Sequence, residues 1–253
     1  MRIRRLATTG VALATALSLG LTGCVPTATR DAASPSASAS SAPADPRAEL
    51  TAALEQLNKQ SAQVELVSPI MNASGALDPL SKTSDMTLDM GAMGKMQMVS
   101  SGDDVYLKMS GKLAGPSDKW LHLDIAKLGD DSQLKTMADG DPGNVTGMIK
   151  SIVAVERTGP GSFAGTLDYT KSVGEDSDLV QTFGDKAAAV PFTATVDADG
   201  RLTELIIDMT ALDPSLGEMR VTYFNFGSPV TVRTPPASEV ETAPAELLDA
   251  FDT

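Results

Sequence analysis

Apolar and polar residues alternate with a period of two along much of the chain after residue 61, a pattern typical of β-strands with one buried face. Just before that point, four apolar residues recur at helical spacing: Leu50, Ala53, Leu54 and Leu57. This spacing predicts a helix from Pro46 to about Gln60. The pattern therefore predicts a helix followed by a sheet.

The predicted strands are short and are separated by glycine-rich or aspartate-rich turns. Their apolar faces contain Val64 and Leu66; Met86, Leu88 and Met90; Met96 and Met98; Val105, Leu107 and Met109; Leu121, Leu123 and Ile125; Phe163, Gly165, Leu167 and Tyr169; Phe192, Ala194 and Val196; Leu205, Ile207 and Met209; Met219, Val221 and Tyr223; and Val230 and Val232. The clearest hairpin is at Asp199-Gly200, because Asp-Gly between two alternating runs favours a tight turn.

Four further segments have helical patterns. Asp130-Asp131-Ser132 can cap a short helix, and a weak helical pattern surrounds Leu179, Val180 and Phe183. A helical stripe contains Val145, Met148, Ile149 and Ile152, and a small terminal helix is expected over Ala243 to Phe251.

We expect nine or ten strands and three or four helices in all. The strands come in runs and not in βαβ alternation, which indicates an antiparallel sheet and an α+β fold. We predict one strongly curved half-barrel with helices on its concave apolar face.

The first 23 residues have the pattern of an export signal. Arg2, Arg4 and Arg5 precede an apolar run from Val11 to Leu21, which is too short to span a bilayer as a helix. The run ends in Leu-Thr-Gly-Cys, which resembles the lipobox of bacterial lipoproteins. That resemblance implies cleavage after Gly23 and diacylation of Cys24, and hence a location on the extracytoplasmic face of the cell membrane. Cleavage would remove three arginines and no acid, so the net charge would change from −13 to −16.

Residues 24–46 are rich in alanine, serine and proline and contain too few large apolar residues to form a core. A flexible segment of this length has an r.m.s. span of about 25 Å. We expect a flexible tether between Cys24 and a folded domain at 47–250.

Composition excludes several kinds of function. One cysteine excludes an intramolecular disulfide, and one histidine excludes the HExxH zinc motif. A net charge of −13 argues against nucleic acid, because proteins bind phosphates with basic residues. We expect no cofactor, no resident metal and no catalytic residue.

Four segments carry a family resemblance: Asp104–Met109 (DVYLKM), Lys119–Asp124 (KWLHLD), Val221–Val230 (VTYFNFGSPV) and Pro235–Val240 (PPASEV). With the lipobox and tether, they resemble the actinobacterial envelope lipoproteins of the LppX/LprG family, whose fold is related to LolA. The resemblance implies a half-barrel with an apolar cavity for acylated lipid or lipoglycan in transit through the envelope. It also implies a non-enzymatic, monomeric carrier or sensor, with an envelope transporter as a candidate partner.

The resemblance does not specify the cavity lining, so we predict it from strand periodicity alone. The candidates are Met86, Leu88, Met96, Met98, Leu107, Leu121, Leu123, Leu205, Ile207 and Val221. Seven methionines lie between Met71 and Met109, and methionine suits adaptable apolar surfaces. Aromatic residues are only 4% of the chain, so the expected lining is aliphatic, as acyl chains require.

Several alternatives stay open at the level of sequence. The same fold with a filled core would be a protein-interaction module, and the methionines would then be ordinary core residues. Methionine thioethers can also bind Cu(I), although their spacing here matches strand alternation. An enzyme would need His122 or an unrecognised carboxylate pair. Ser132-Gln133-Leu134-Lys135 matches the SxxK motif of penicillin-binding enzymes, but its partner motifs are absent. Asp197-Ala198-Asp199-Gly200 resembles a calcium loop only faintly.

Overall fold

The computed structural model describes residues 45–114, 117–127, 135, 141, 143–173, 177–244 and 247. The chain divides into two units, and the helices and strands of these residues lie in the second unit, Ala42–Thr253. The strands in the described residues are β1 (Ala62–Val67), β2 (Asn72–Asp78), β3 (Thr83–Asp89), β4 (Lys95–Ser101), β5 (Asp104–Met109), β6 (Trp120–Asp124), β7 (Ile152–Gly159), β8 (Ser162–Leu167), β9 (Val190–Val196), β10 (Leu202–Asp208), β11 (Glu218–Phe224) and β12 (Val240–Thr242).

These twelve strands form one open, curved sheet in the order β12-β6-β5-β4-β3-β2-β1-β11-β10-β9-β8-β7. Every neighbouring pair is antiparallel except β12 and β6, which are parallel. The antiparallel α+β class predicted from the runs of strands is therefore confirmed. The edge strand β7 has two register shifts against β8, and such irregularities hinder pairing with another chain.

Helix α1 (Pro46–Leu57) covers one face of this sheet. Asp45 caps it by accepting a hydrogen bond from the Arg47 backbone N–H at 3.1 Å, and Pro46 occupies the first turn, where its missing N–H costs nothing. Its buried residues are the four that the sequence pattern selected: Leu50, Ala53, Leu54 and Leu57. They belong to the same apolar cluster as residues of β9, β10 and β11. We call the face that they cover the helix-bearing face.

In the described ranges, the shorter helices are α2 (Val145–Ser151), α3 (Thr170–Val173) and α4 (Asp178–Phe183). The buried carboxylate of Asp141 begins α2 by accepting hydrogen bonds from the backbone N–H groups of Val145 at 2.6 Å and Thr146 at 2.8 Å. Asn58, just after α1, donates a side-chain hydrogen bond to the same carboxylate at 3.2 Å. Asp141 thus connects the end of α1 to the start of α2.

The buried apolar residues form two clusters. The larger joins α1 and α2 to β1, β2 and β7 to β11, and the smaller lies on β4, β5 and β6. Met86 of β3 packs against both. The helix-bearing face therefore carries two buried apolar clusters, and Met86 connects them.

Several sequence predictions need correction. Ile125, Tyr169 and Met209 were predicted as the last residues of strands, but β6 ends at Asp124, β8 at Leu167 and β10 at Asp208. The described residues form twelve strands, not nine or ten. Strand β2 was missed, because its inward residues Ala73 and Gly75 are too small to show alternation. Ile152 was assigned to a helix but begins β7. Val230 to Val232 was predicted as a strand but belongs to no strand. The last strand of the described residues is instead β12, which pairs with β6. Three prolines in residues 229–236 lack the N–H that a ladder requires.

Several predictions lie outside the described residues. They include the signal segment, Cys24, nearly all of the tether and the helix cap at Asp130-Asp131-Ser132. Most of the SxxK match and most of the predicted terminal helix also lie there, although Leu247 is described and helical. None of the helices in the described ranges has the length and apolarity needed to cross a bilayer.

Candidate functional site

The ten residues predicted to line a cavity all belong to the helix-bearing face. In the ladders of β3 to β6, Met86 lies opposite Met98, Met98 opposite Leu107, and Leu107 opposite Leu121. Since directly paired residues share a face, these four form one row across four strands. The strand alternation in the sequence was thus sufficient to place them on a common surface.

A second apolar row crosses the sheet beside the first. Its members are paired one after another from β10 to β5: Leu205, Val221, Leu66, Ala73, Leu88, Met96 and Met109. Four of the predicted residues belong to this row. The row connects the two apolar clusters, so both ends of the predicted lining are parts of one surface.

Burial separates the ten residues into three groups. Leu205, Ile207 and Val221 are buried in the larger cluster together with α1. Met98, Leu107 and Leu123 are buried in the smaller cluster. The remaining four are only half-buried: Met86, Leu88, Met96 and Leu121. The incompletely covered part of the apolar face is therefore its methionine-rich half, on β3 to β6.

An apolar groove of about 380 Å³ opens beside this half. Its apolar lining is Met109, Leu113, Leu121, Pro244 and Leu247, and its polar lining is Ser117, Lys119, Glu241 and Thr242. Its volume is within the range of small-molecule sites, about 300–1,000 Å³. Sequence reasoning found only Leu121 among these residues. The β6–β12 pairing brings in the 241–247 segment, and β12 has no recognisable strand pattern.

The opposite face of the sheet carries two adjoining depressions of about 550 and 410 Å³ over β1, β2 and β3. Both include Glu65, Ser74 and Thr87, so their floor is polar. At one end, Lys95 pairs with Asp89 at 2.8 Å, and this hydrogen bond lowers the pKa of the Asp89 carboxyl. These depressions do not suit an acyl chain.

His122 also lies on the opposite face. Its Nε2 is 2.6 Å from Oδ1 of Asp104, and its ring stacks on Tyr106 with a centroid separation of 5.1 Å. Beside it, the ammonium of Lys108 lies 5.8 Å from the centre of the Trp120 ring. These are cross-strand contacts between β5 and β6, and such contacts stabilise a sheet. They account for the position of His122 in the sheet.

The aspartate-rich turn at 197–200 also has a structural explanation. The Asp197 carboxylate accepts hydrogen bonds from the Asp199 and Arg201 backbone N–H groups, each at 3.0 Å, and from Arg201 Nε at 2.8 Å. Burial alone raises the pKa of Asp197, but these hydrogen bonds lower it by more, so the net shift is downward. More broadly, no group of three or more histidine, cysteine, aspartate or glutamate side chains in the described ranges is placed to bind a metal ion.

No protein-family model matches this chain, and no curated protein matches it significantly. The function is therefore argued from the residues of the chain itself.

Proposed function

We propose that this protein is a lipid-anchored extracytoplasmic protein that binds acylated lipid or lipoglycan on the methionine-rich half of the helix-bearing face. The fold that we propose is a half-barrel of the LppX/LprG type, with helices packed on its concave side. The protein would act as a carrier or a sensor in the cell envelope. Cys24 would hold the acyl anchor.

One observation carries this proposal. Met86, Leu88, Met96 and Leu121 lie in adjoining apolar rows but stay only half-buried, and the groove beside Leu121 has a mainly aliphatic lining. An apolar surface that the fold leaves partly uncovered is a common feature of binding sites. Methionine and leucine side chains adapt easily to flexible acyl chains.

The polar rim of the groove fits an amphiphile. Lys119, Ser117 and Thr242 lie beside the apolar lining and offer hydrogen-bond donors to the headgroup of a lipid. Glu241 would be unfavourable next to an anionic headgroup but can accept hydrogen bonds from sugar hydroxyls. This arrangement supports a glycosylated lipid over a simple fatty acid.

A second function is favoured by a different observation. Leu205 and Ile207 are almost fully buried against α1, so the larger cluster is a filled core and not a cavity. If the smaller cluster is filled in the same way, the protein is an interaction module of the same fold. The two functions differ in whether the protein retains lipid.

Native mass spectrometry of residues 42–253, produced in a lipid-containing bacterial host, distinguishes them. For a carrier, we expect discrete mass additions that match acylated lipids and vanish on extraction with organic solvent. A clean apo mass, with no uptake of added diacyl or triacyl lipids, would overturn the proposal in favour of the interaction module.

A further inference from the structure

The connections between successive strands leave apolar side chains exposed at one end of the sheet. Because neighbouring strands are antiparallel, the β1–β2, β3–β4 and β5–β6 connections all lie at that end. We call residues 68–71, 90–94 and 110–114 the tip end. Ile70 is 64% exposed and Met93 is 48% exposed, and Val67 is similarly exposed at the end of β1.

The exposed apolar residues are concentrated there. The described chain has six exposed large hydrophobic residues, and Ile70 and Met93 lie in the tip end with Val67 directly beside it. A fourth, Val153, lies at the same end of the sheet but on the far edge strand β7. Along this end of the sheet, each of the three connections is two strands away from the next, a distance of about 10 Å for a strand spacing of about 4.8 Å. An exposed apolar patch that is spread over several loop tips is typical of an interaction surface.

Two of these connections are held rigidly against each other. A Cβ on Gly94 would lie 2.0 Å from the Ser110 carbonyl oxygen, and one on Gly111 would lie 2.8 Å from the Gly94 Cα. The Ser110 backbone N–H donates to the Lys95 carbonyl at 2.8 Å. Met93 is therefore presented by a fixed backbone, and docking would cost little ordering entropy.

The charge at the tip end differs from that of the whole chain. The tip end itself contains one charged residue, Lys112, and the residues that flank its last two connections add Lys95 and Lys119 together with Asp89 and Asp118. The net charge of this part of the chain is therefore +1, although the chain as a whole has a net charge of −13. Lys95 pairs with Asp89, which leaves the exposed Lys112 and Lys119 as the main positive charges. Apolar tips beside lysines match the interface of a bilayer that contains anionic lipid.

The start of the folded unit lies at the same end. The Arg47 guanidinium donates to the carbonyl of Val153 at 3.3 Å, and Val153 lies where β7 begins, on the side of the sheet that carries the tip end. Helix α1 therefore starts here, and the preceding chain joins the domain at Asp45. A tether from an acylated Cys24 would therefore reach the domain from this end of the sheet and keep it close to the membrane.

We propose that the tip end is the membrane-docking surface, with Ile70 and Met93 inserted at the interface of an anionic bilayer and Lys112 and Lys119 at the phosphates. The orientation rests on the proposed anchor at Cys24 but not on bound lipid cargo. The acidic domain has little affinity for such a surface when free. The tether makes docking intramolecular and raises the effective concentration to about the millimolar range.

The single cysteine provides the test, because the chain from Cys24 onward can be coupled to vesicles through a maleimide lipid. The vesicles contain phosphatidylcholine and phosphatidylglycerol with brominated acyl chains, which quench inserted tryptophan. The two variants to compare are Ile70→Trp and Leu80→Trp. Leu80 is the matched control, since it is 73% exposed in the β2–β3 connection at the other end.

For Ile70→Trp we expect the tryptophan emission to shift to shorter wavelength and to be quenched more by the brominated chains than in the parent protein. The parent contains only Trp120, so its emission gives the reference signal. Leu80→Trp should behave like the parent, and Lys112→Glu, which lies outside the groove lining, should reduce the quenching seen in Ile70→Trp. Equal quenching of both variants, or none in either, would overturn the proposal. Unchanged urea midpoints would show that both variants are folded. Lipid cargo is measured separately on residues 42–253, so the two proposals can fail independently.

Discussion

The sulfur of Met86 lies where a side chain on Gly75 would have to be placed. A Cβ built on Gly75 would be 2.5 Å from Met86 Sδ and 2.1 Å from the backbone oxygen of Asp85. Gly75 and Met86 face each other in the β2–β3 ladder. The missing side chain at 75 therefore lets Met86 lie across β2 and reach both apolar clusters.

Replacing Gly75 tests this relationship. An alanine in a strand normally stabilises relative to glycine, by roughly 0.5–1 kcal/mol. For Gly75→Ala we expect the opposite sign, a loss of about 1–3 kcal/mol in the free energy of unfolding, because a backbone atom blocks the new methyl group. Urea unfolding provides the measurement. Gly159→Ala is the control, since the nearest atom to its Cβ is 3.7 Å away. Equal midpoints for the two variants would contradict the close approach.

The same pair shows what sequence reasoning can reach. Alternation placed Met86 and Leu121 on one face correctly, because a strand has a period of two whatever its neighbours are. It could not show that Gly75 belongs to a strand, since small inward residues give no apolar signal. Nor could it show that Leu205 is buried under a helix while Leu88 is not. That difference depends on where α1 packs, and helix packing over a sheet is a long-range contact.

The groove beside Leu121 could not be predicted either, because it also depends on contacts between distant parts of the chain. Its lining comes from β5, β6, the connection between them, β12 and the segment after β12, and β12 has only three residues. The role of Asp141 at the start of α2 was missed as well, because Asp141 stands four residues before the helix and also binds Asn58 from the end of α1.

Asp141 is expected to matter for stability. For Asp141→Ala we expect the free energy of unfolding to fall by about 1–2 kcal/mol, because two backbone N–H groups of α2 and one side-chain amide lose their acceptor. Asp141→Asn keeps one acceptor oxygen and should lose less. Both are measured by urea unfolding. An unchanged midpoint in Asp141→Ala would show that water satisfies the helix start equally well.

Two buried tyrosines are expected to lower the free energy of unfolding at high pH. Burial raises the pKa of Tyr169 to about 12, and burial together with the Asp141 charge raises the pKa of Tyr223 to about 12. An unfolded tyrosine has a pKa near 10. The unfolded state therefore loses its protons first, so the stabilising contribution is complete below about pH 10 and is lost between about pH 10 and 12.

Absorbance of tyrosinate, followed together with far-ultraviolet circular dichroism, measures this effect. We expect most phenolate to appear only as the protein unfolds. Tyr223→Phe should unfold at a higher pH than the parent, since phenylalanine cannot ionise. Ionisation of Tyr169 and Tyr223 near pH 10 in a protein that stays folded would contradict their burial.

Placing a charge in the groove tests the proposed lipid site directly. For Leu121→Asp we expect uptake of acylated lipid to fall by at least about tenfold, because a carboxylate against an acyl chain loses its hydration, and a difference of about 1.4 kcal/mol already gives that factor. Leu80→Asp is the matched control and should bind like the parent, since Leu80 is exposed far from the groove. Native mass spectrometry with a lipid titration measures both.

Leu205→Ala tests whether the lipid binds in the larger cluster instead. This substitution should lower the free energy of unfolding by about 2–5 kcal/mol without changing which lipid is retained. If Leu121→Asp keeps full uptake while Leu205→Ala loses it, the lipid binds in the larger cluster and the methionine-rich half is not the site.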